Sequence, residues 1–563
     1  MPPPSPTTLL ALITTTLTTL LSTIATTTHF PSRFRLLHSK LLLLSTSLSS
    51  LSNHSSHHHP LLVSSLPALL LTLRHLMDLS ASASDSSFSG GKLRFQSDLD
   101  MATAALGDHI RDLELILRAG IPSSSSGAAI VVSRPGPEAE MEDLVFYVRD
   151  LFARLQIGGV GFKEEAIESL IQLLEEDERS AVIVAREGNV SYLIQLLDYG
   201  VSNLIREKAV AVIAVLAGAS EVSRGAVFEE GGLGPLLRIL DNGTLALKEK
   251  AAAAIEAITS DPENAWAVAA YGGVRILMDA CRCGSPQIEA CAVGVVRNVL
   301  VVEEMREAFV EETVIPVLID GLVSGDGNVE EKAAECLSIV AGSNERFRSM
   351  IVQHRGLQRL LQLILDSSNL RSLEHALTAI RSLSISDPIA KFISSSTGFV
   401  LRLSDLILHG NVPVQLIAAT MISSLPISDG NKRAMSSCMP ALVKLIEMPK
   451  PGGIAAAASM ALVSLLAVKS NRKELGRDEK SVRRLVQAMS VENESVCKEF
   501  PVAVVAAMVT GGGNDGCRRR LVAAGAMAAA QRLEAMEVAG ARKAAARLAG
   551  NRLRNIFSRS WRE

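Results

Sequence analysis

The 563 residues carry 56 Lys and Arg against 59 Asp and Glu, a formal net charge of -3, and are 48% hydrophobic but only 4% aromatic. That apolar content excludes a wholly disordered chain, and the near balance of charge excludes a global polycation for a nucleic-acid backbone, so no nucleic-acid partner is expected. A core short of rings must be built from Ala, Val, Ile and Leu, which favours close-packed helices; length alone, at roughly 150 residues per domain, would give three or four globules.

The run from Leu9 to Ala25 is apolar, and no Asp or Glu precedes Asp78. The opening MPPPSP carries no positive residue, so it does not read as a secretory signal, and its threonines make the run a poor membrane span. Its Ser/Thr-rich, acid-poor composition is similar to a plastid transit peptide. However, Leu10, Ile13, Leu17, Leu20 or Leu21 and Ile24 recur at helical spacing, which a bundle helix explains better. Phe34, Leu37, Leu41, Leu44, Leu48 and Leu51 predict a second helix, and Leu62, Leu66, Leu69, Leu73 and Leu76 a third. The histidine tract between them, His54 to Pro60, reads as a solvated connection. A fourth helix over Lys92 to Ala119, with Leu99, Leu106, Ile110, Leu113 and Leu117 on one side, stops at Gly120 and Pro122. Residues 1–120 are thus expected to form a small helical bundle, with self-association among its roles, and 121–140 a Ser/Gly/Pro-rich linker.

Beyond the linker the chain repeats. KEEAIESLIQLL from Lys163, REKAVAVIAVLA from Arg206, KEKAAAAIEAIT from Lys248, EACAVGVVRNVL from Glu289 and EEKAAECLSIVA from Glu330 are one helix written at intervals of 41 to 43 residues. Weaker copies start at Leu373, Gln415, Ala455 and Lys498. Between them recurs a glycine turn and a leucine-rich helix, as in GGLGPLLRIL from Gly231 and GGVRILMDAC from Gly272. A period of about 40–47 residues with two or three helices predicts a solenoid of about eight to nine stacked units, none able to bury its apolar face alone.

A Gly-Gly turn, a leucine-rich helix and an Ala-rich helix resemble the armadillo repeat, over roughly Glu142 to Leu533. The resemblance implies an all-α, right-handed armadillo-type solenoid over 141–533, with a basic capping helix at 534–563. The helices ahead of the repeats, through LRFQSDLD and HIRDLELILRAG, resemble the N-terminal region of plant U-box and armadillo-repeat proteins. The roughly seventy-residue U-box of those ligases is replaced here by the linker. What the resemblance implies is a noncatalytic protein-binding scaffold in the cytoplasm or nucleus, with plastid targeting left open. A substrate-binding role in ubiquitin ligation, beside a separate catalytic partner, is the alternative.

In armadillo proteins that clamp basic peptides, the third helix of many repeats presents an Asn. The corresponding row here is Gln172, Val215, Ala257, Asn298, Ile339, Ser382, Ser424 and Ser464. With only one Asn, the row fits an apolar helix or a folded surface better than a basic localisation signal; the competing reading makes Val215, Ala257 and Ile339 ordinary core. Arg297 and Arg381, each one position before the row, are further candidates for partner contact. Charged residues at the repeat starts, such as Lys163, Arg206 and Lys248, read as solvated first-turn groups.

No phosphate loop, zinc-protease or nucleophile-elbow motif occurs, so neither an enzyme nor a cofactor is expected. The GGGNDG run from Gly511 reads as a loop. Cys281, Cys283 and Cys291 lack a fourth ligand at zinc spacing, and the seven cysteines read as reduced, small apolar side chains. The tail from Gly540 carries seven Lys or Arg, including Arg542, Lys543, Arg547, Arg552, Arg554 and Arg559, and one Glu. It reads as a basic amphipathic helix with Leu548, Leu553, Ile556, Phe557 and Trp561 on its apolar side. Capping of the solenoid is its first role; contact with an anionic membrane surface is its second.

Overall fold

The N-terminal leucine patterns become four helices, Pro6–Ala25, Pro31–Asn53, Pro60–Ser84 and Lys92–Arg118. One face of each feeds a shared core that includes Ile13, Leu20, Leu37, Leu41, Leu66, Leu73, Leu99 and Leu106. The first helix packs on the second and third, and the fourth closes against both of those. By length and composition Pro6–Ala25 and Leu61–Ala83 are apolar enough to cross a membrane. This corrects the expectation that threonines disqualify the first: Thr14, Thr15 and Thr16 each donate to a carbonyl four residues earlier and so expose no unmet donor.

The structure is a computed structural model that describes residues 5–25, 30–53, 60–84, 92–118, 135–136, 140–177, 179–198, 202–311, 314–449, 453–510 and 515–550. Every regular element among them is helical, and the fold is an all-α solenoid preceded by the bundle. The histidine tract, nearly all of the linker and Gly511 to Asn514 lie outside the described residues.

The chain divides into two units, Met1–Tyr271 and Gly272–Glu563. The division falls within the repeats. Within the first unit, Leu61 and Ile116 of the bundle bury against Ala153 of the Met141–Ile157 helix, with Ile157 and Phe162 packed around them. The bundle and the first repeats therefore share a core.

In the first unit the third helices of successive repeats are Val160–Glu176, Asn203–Ala219 and Leu245–Thr259, each packed on the next. In the second they are Pro286–Val301, Gly327–Ser343, Leu370–Leu383, Val412–Ser424, Gly453–Leu465, Glu499–Met508 and Ala541–Ala549, again packed in series. Small side chains permit this. Ala251, Ala252 and Ala254 are buried beside Ile255 and Ile258, so neighbouring backbones approach closely while the isoleucines fill the gaps.

In four of the third helices a capping side chain sets the start, ahead of the sequence string. Ser285, Asp326, Asn369 and Asn411 each accept a backbone N–H from the first turn. Second helices enter through a left-handed residue, Gly272 at φ 68 in one repeat and Arg355 at φ 64 in another. Ala541–Ala549 is the last third helix, so the row runs one register further than the sequence suggested, and the expected separate tail is in part a repeat.

Candidate functional site: the third-helix surface

A third helix that packs on both neighbours still leaves a strip uncovered, and the inferred row lies along it. In the first unit Gln172 is exposed and Val215 and Ala257 are half-buried, while adjacent Leu173, Leu216 and Ile258 are core. In the second unit Ile339, Ser382 and Ser464 are half-buried and Arg381 and Ser424 exposed. Val215, Ala257 and Ile339 are thus neither sealed core nor free surface.

Asn298 differs. It is only 8% exposed, and its Oδ1 accepts Arg297 Nε at 3.1 Å and Nη2 at 2.7 Å. Arg297 also lies 3.6 Å from Glu335 on the next third helix. Arg297 thereby links Asn298 to the next repeat, because a guanidinium between an amide oxygen and a carboxylate satisfies both.

The serines and threonines are committed as well. Ser382 Oγ donates to the Thr378 carbonyl at 3.1 Å and Thr378 Oγ1 to that of Glu374 at 2.8 Å. Thr420 donates to Leu416 at 2.8 Å, Ser423 to Thr420 at 2.7 Å and Ser424 to Met421 at 3.4 Å. A surface whose hydroxyl protons are already spent on its own backbone cannot grip an extended peptide as an Asn ladder does.

Sequence reasoning missed the apolar end of this strip. Met460 is 54% and Val463 38% exposed on Gly453–Leu465, close in sequence to Ser464. Their signal was present in SMALVS, where they fall one turn and one residue before the row position.

Charges at the repeat starts are more than solvated first-turn groups. Lys208 Nζ meets Glu168 Oε2 at 2.8 Å in the preceding repeat, and Arg371 lies 3.6 Å from Glu331. Lys332 Nζ donates to the Ala290 carbonyl at 3.0 Å. These ties fix the register between neighbours; as partly exposed pairs each contributes about 0–1 kcal/mol.

The described part of the basic tail packs on the solenoid. Arg547 is half-buried, its Nη1 donating to the Ala506 carbonyl at 2.8 Å and to Thr510 Oγ1 at 2.7 Å. Ala541, Ala544, Ala545 and Leu548 bury beneath it, whereas Arg542 and Lys543 stay exposed. Arg552, Arg554 and Arg559, with Leu553, Ile556, Phe557 and Trp561, lie outside the described residues.

Among the described residues no group of His, Cys, Asp or Glu is arranged to hold a metal. Burial pushes the Cys281 thiol up to about 12 and that of Cys438 to about 11. Cys336, fully enclosed, is raised well above the ordinary range by the same desolvation. Such thiols stay protonated and behave as small apolar groups. The side chain of Cys283 lies outside the described residues.

Residues 344–385 match the family of the armadillo/beta-catenin-like repeat, and residues 11–121 match a domain of unknown function, DUF7032. The first interval holds one complete repeat, helices Glu345–Gln353, Gly356–Asp366 and Leu370–Leu383, although its alanine string is among the weaker copies in sequence. Junction plakoglobins of Sus scrofa and Homo sapiens are each 26% identical over 192 residues, covering 33% of this chain and 26% of theirs. The chain thus spans about a quarter of the length of these curated relatives. A crystal structure of an engineered protein superposes with a TM-score of 0.58 at 22% identity, covering 71% of this chain and 98% of that one, which supports the solenoid fold.

Proposed function

We infer that this chain is a noncatalytic scaffold that binds partner proteins along its third-helix strips. One observation carries the reading: on the strip of the second unit Ser382, Thr420 and Ser423 donate to their own helices, and Met460 and Val463 stand exposed. Such a surface favours burial of an apolar helix or a folded face over backbone gripping. The similarity of part of the chain to armadillo repeats and to plakoglobins supports the same general role.

The test is affinity capture with the full chain against a Met460→Glu/Val463→Glu variant of unchanged melting behaviour. Reproducible partners captured by the wild type and lost with the variant are the expected result. An unchanged partner set removes the strip from the account.

The order of a helical bundle followed by repeats keeps a second reading, substrate binding beside a separate ubiquitin-transfer enzyme. In that case the isolated chain builds no ubiquitin chains, but adding the cognate transfer enzyme restores modification of a captured partner. The bundle adds a self-association surface on Pro31–Asn53, where Leu36, Leu42 and Leu43 are exposed. Sedimentation velocity of a Leu36→Ser/Leu43→Ser variant checks it. Cytoplasmic or nuclear residence is the location this scaffold role proposes.

A further inference from the structure

Away from the third helices, the last two repeats part to leave a cleft of about 740 Å³. Its walls are the second helices Glu479–Ala488 and Ala526–Ala535, with the ends of Lys469–Arg477 and Asp515–Ala523, and no third-helix residue lines it. In the two preceding steps of the second unit, Thr397–His409 packs on Met439–Ile446, which packs on Glu479–Ala488. Between Glu479–Ala488 and Ala526–Ala535 the cleft opens instead.

The chemistry of the gap is specific. Val486 and Val491 make one apolar wall, with fully buried Met489 behind it, and Ala528 and Ala529 make a low opposite wall that lets another backbone come close. Three arginines, Arg483, Arg520 and Arg532, stand around this interior with a single acid, Glu479. Arg483 and Glu479 are 3.5 Å apart with both side chains more than three-quarters exposed, so the pair is weak. Arg520 uses one nitrogen on the Gly476 carbonyl at 3.0 Å. Arg532 makes no side-chain hydrogen bond or ion pair to any described residue. The cleft therefore combines an apolar floor, a small-residue wall and positive charge on both sides.

We propose that this cleft is a second docking site, taking an acidic amphipathic helix from a partner protein. Aliphatic side chains of the incoming helix occupy the space between Val486, Val491 and Ala528. Its carboxylates, one turn to either side, meet Arg483 on one wall and Arg520 and Arg532 on the other. Charge complementarity sets the polarity of the partner: a basic helix would add like charges to three arginines with only Glu479 to offset them. The helical form follows from the walls, since two helices that flank an open cleft present ridges that a third helix can fill.

The experiment is fluorescence anisotropy with the full chain and two labelled helical peptides of roughly four turns, both with leucines on one face, one flanked by glutamates and the other by lysines. The glutamate peptide is expected to bind and the lysine peptide not. Arg483→Glu/Arg532→Glu, both at exposed positions, weakens the glutamate peptide by about tenfold or more and reduces its salt dependence. Ala528→Trp fills the cleft and abolishes binding; should that variant fail to fold, the charge-reversed one decides. Met460→Glu/Val463→Glu leaves the affinity unchanged, which separates this site from the third-helix strip. Equal binding of the two peptides, no binding of either, or full affinity in the charge-reversed variant overturns the proposal. So does displacement of the glutamate peptide by a single-stranded oligonucleotide that binds more tightly through the same arginines.

Discussion

Arg355 occupies the left-handed turn that Gly272 occupies elsewhere, with φ 64 and ψ 20 against φ 68 and ψ 22. An L-residue there costs roughly 1–2 kcal/mol, because its Cβ crowds the following carbonyl. Replacing it with glycine relieves that cost but returns roughly 0.4–1 kcal/mol through the freer unfolded chain. The Arg355 side chain is exposed and makes no hydrogen bond or ion pair to any described residue that would offset the strain. Arg355→Gly should therefore stabilise the protein by about 1 kcal/mol or slightly less. The reverse change, Gly272→Arg, meets no atom within 4 Å of the new Cβ, so it should lose a similar amount through backbone alone. Urea and thermal unfolding of both variants, read with hydrogen exchange over Gly356–Asp366, would show opposite shifts of roughly 1–3 °C. A destabilised Arg355→Gly would refute the strain argument and assign the turn a stabilising arginine contact instead.

Arg547→Ala removes two hydrogen bonds that hold the last helix to Glu499–Met508, and should cost about 1–3 kcal/mol, with amide exchange rising first over Ala541–Ala549. If exchange there is unchanged, the helix is not held by this contact. The buried thiols predict a fall in stability at alkaline pH. A thiol whose folded pKa lies above its unfolded value stabilises the fold fully below the unfolded value and loses that contribution as pH rises to the folded one. For Cys281 the window is from 9.0 to about 12, and Cys281→Ala should flatten the pH dependence across it. At pH 8, alkylation mapped by mass spectrometry should label half-exposed Cys497 well before Cys281 and Cys336. Lys208→Ala, which breaks a partly exposed pair with Glu168, should change stability by no more than about 1 kcal/mol.

The solenoid was legible because one pattern recurs: alanines that permit close approach, followed by aliphatics that fill the gaps. The start of each third helix was less legible, since Ser285, Asp326, Asn369 and Asn411 are four residues of three kinds whose common role appears only when their side chains accept first-turn amides. The tail was legible as a cap but not as a repeat. ARKAAARLA at Ala541 shares only a Lys-Ala-Ala-Ala run with KEKAAAAIEA at Lys248, and nothing in its charge says that Arg547 will be spent on Ala506 and Thr510. At the candidate site, position along the helix was readable and availability was not. Nothing in the order Arg297-Asn298 says that the two will satisfy each other, nor that the hydroxyls of Ser382, Thr420 and Ser423 will fold back onto their own helices. The cleft between the last two repeats was invisible for a further reason: it arises from the spacing of two helices, which no residue pattern marks.

The central claim is that partners bind along the third-helix strip of the second unit. A photo-crosslinking amino acid placed singly at Ile339, Ser382, Ser424 and Met460, with Arg346 and Lys473 on first helices as controls, tests it most directly. The account predicts that strip positions yield adducts with a common protein partner and that the first-helix positions do not. Adducts confined to the first-helix positions would contradict it.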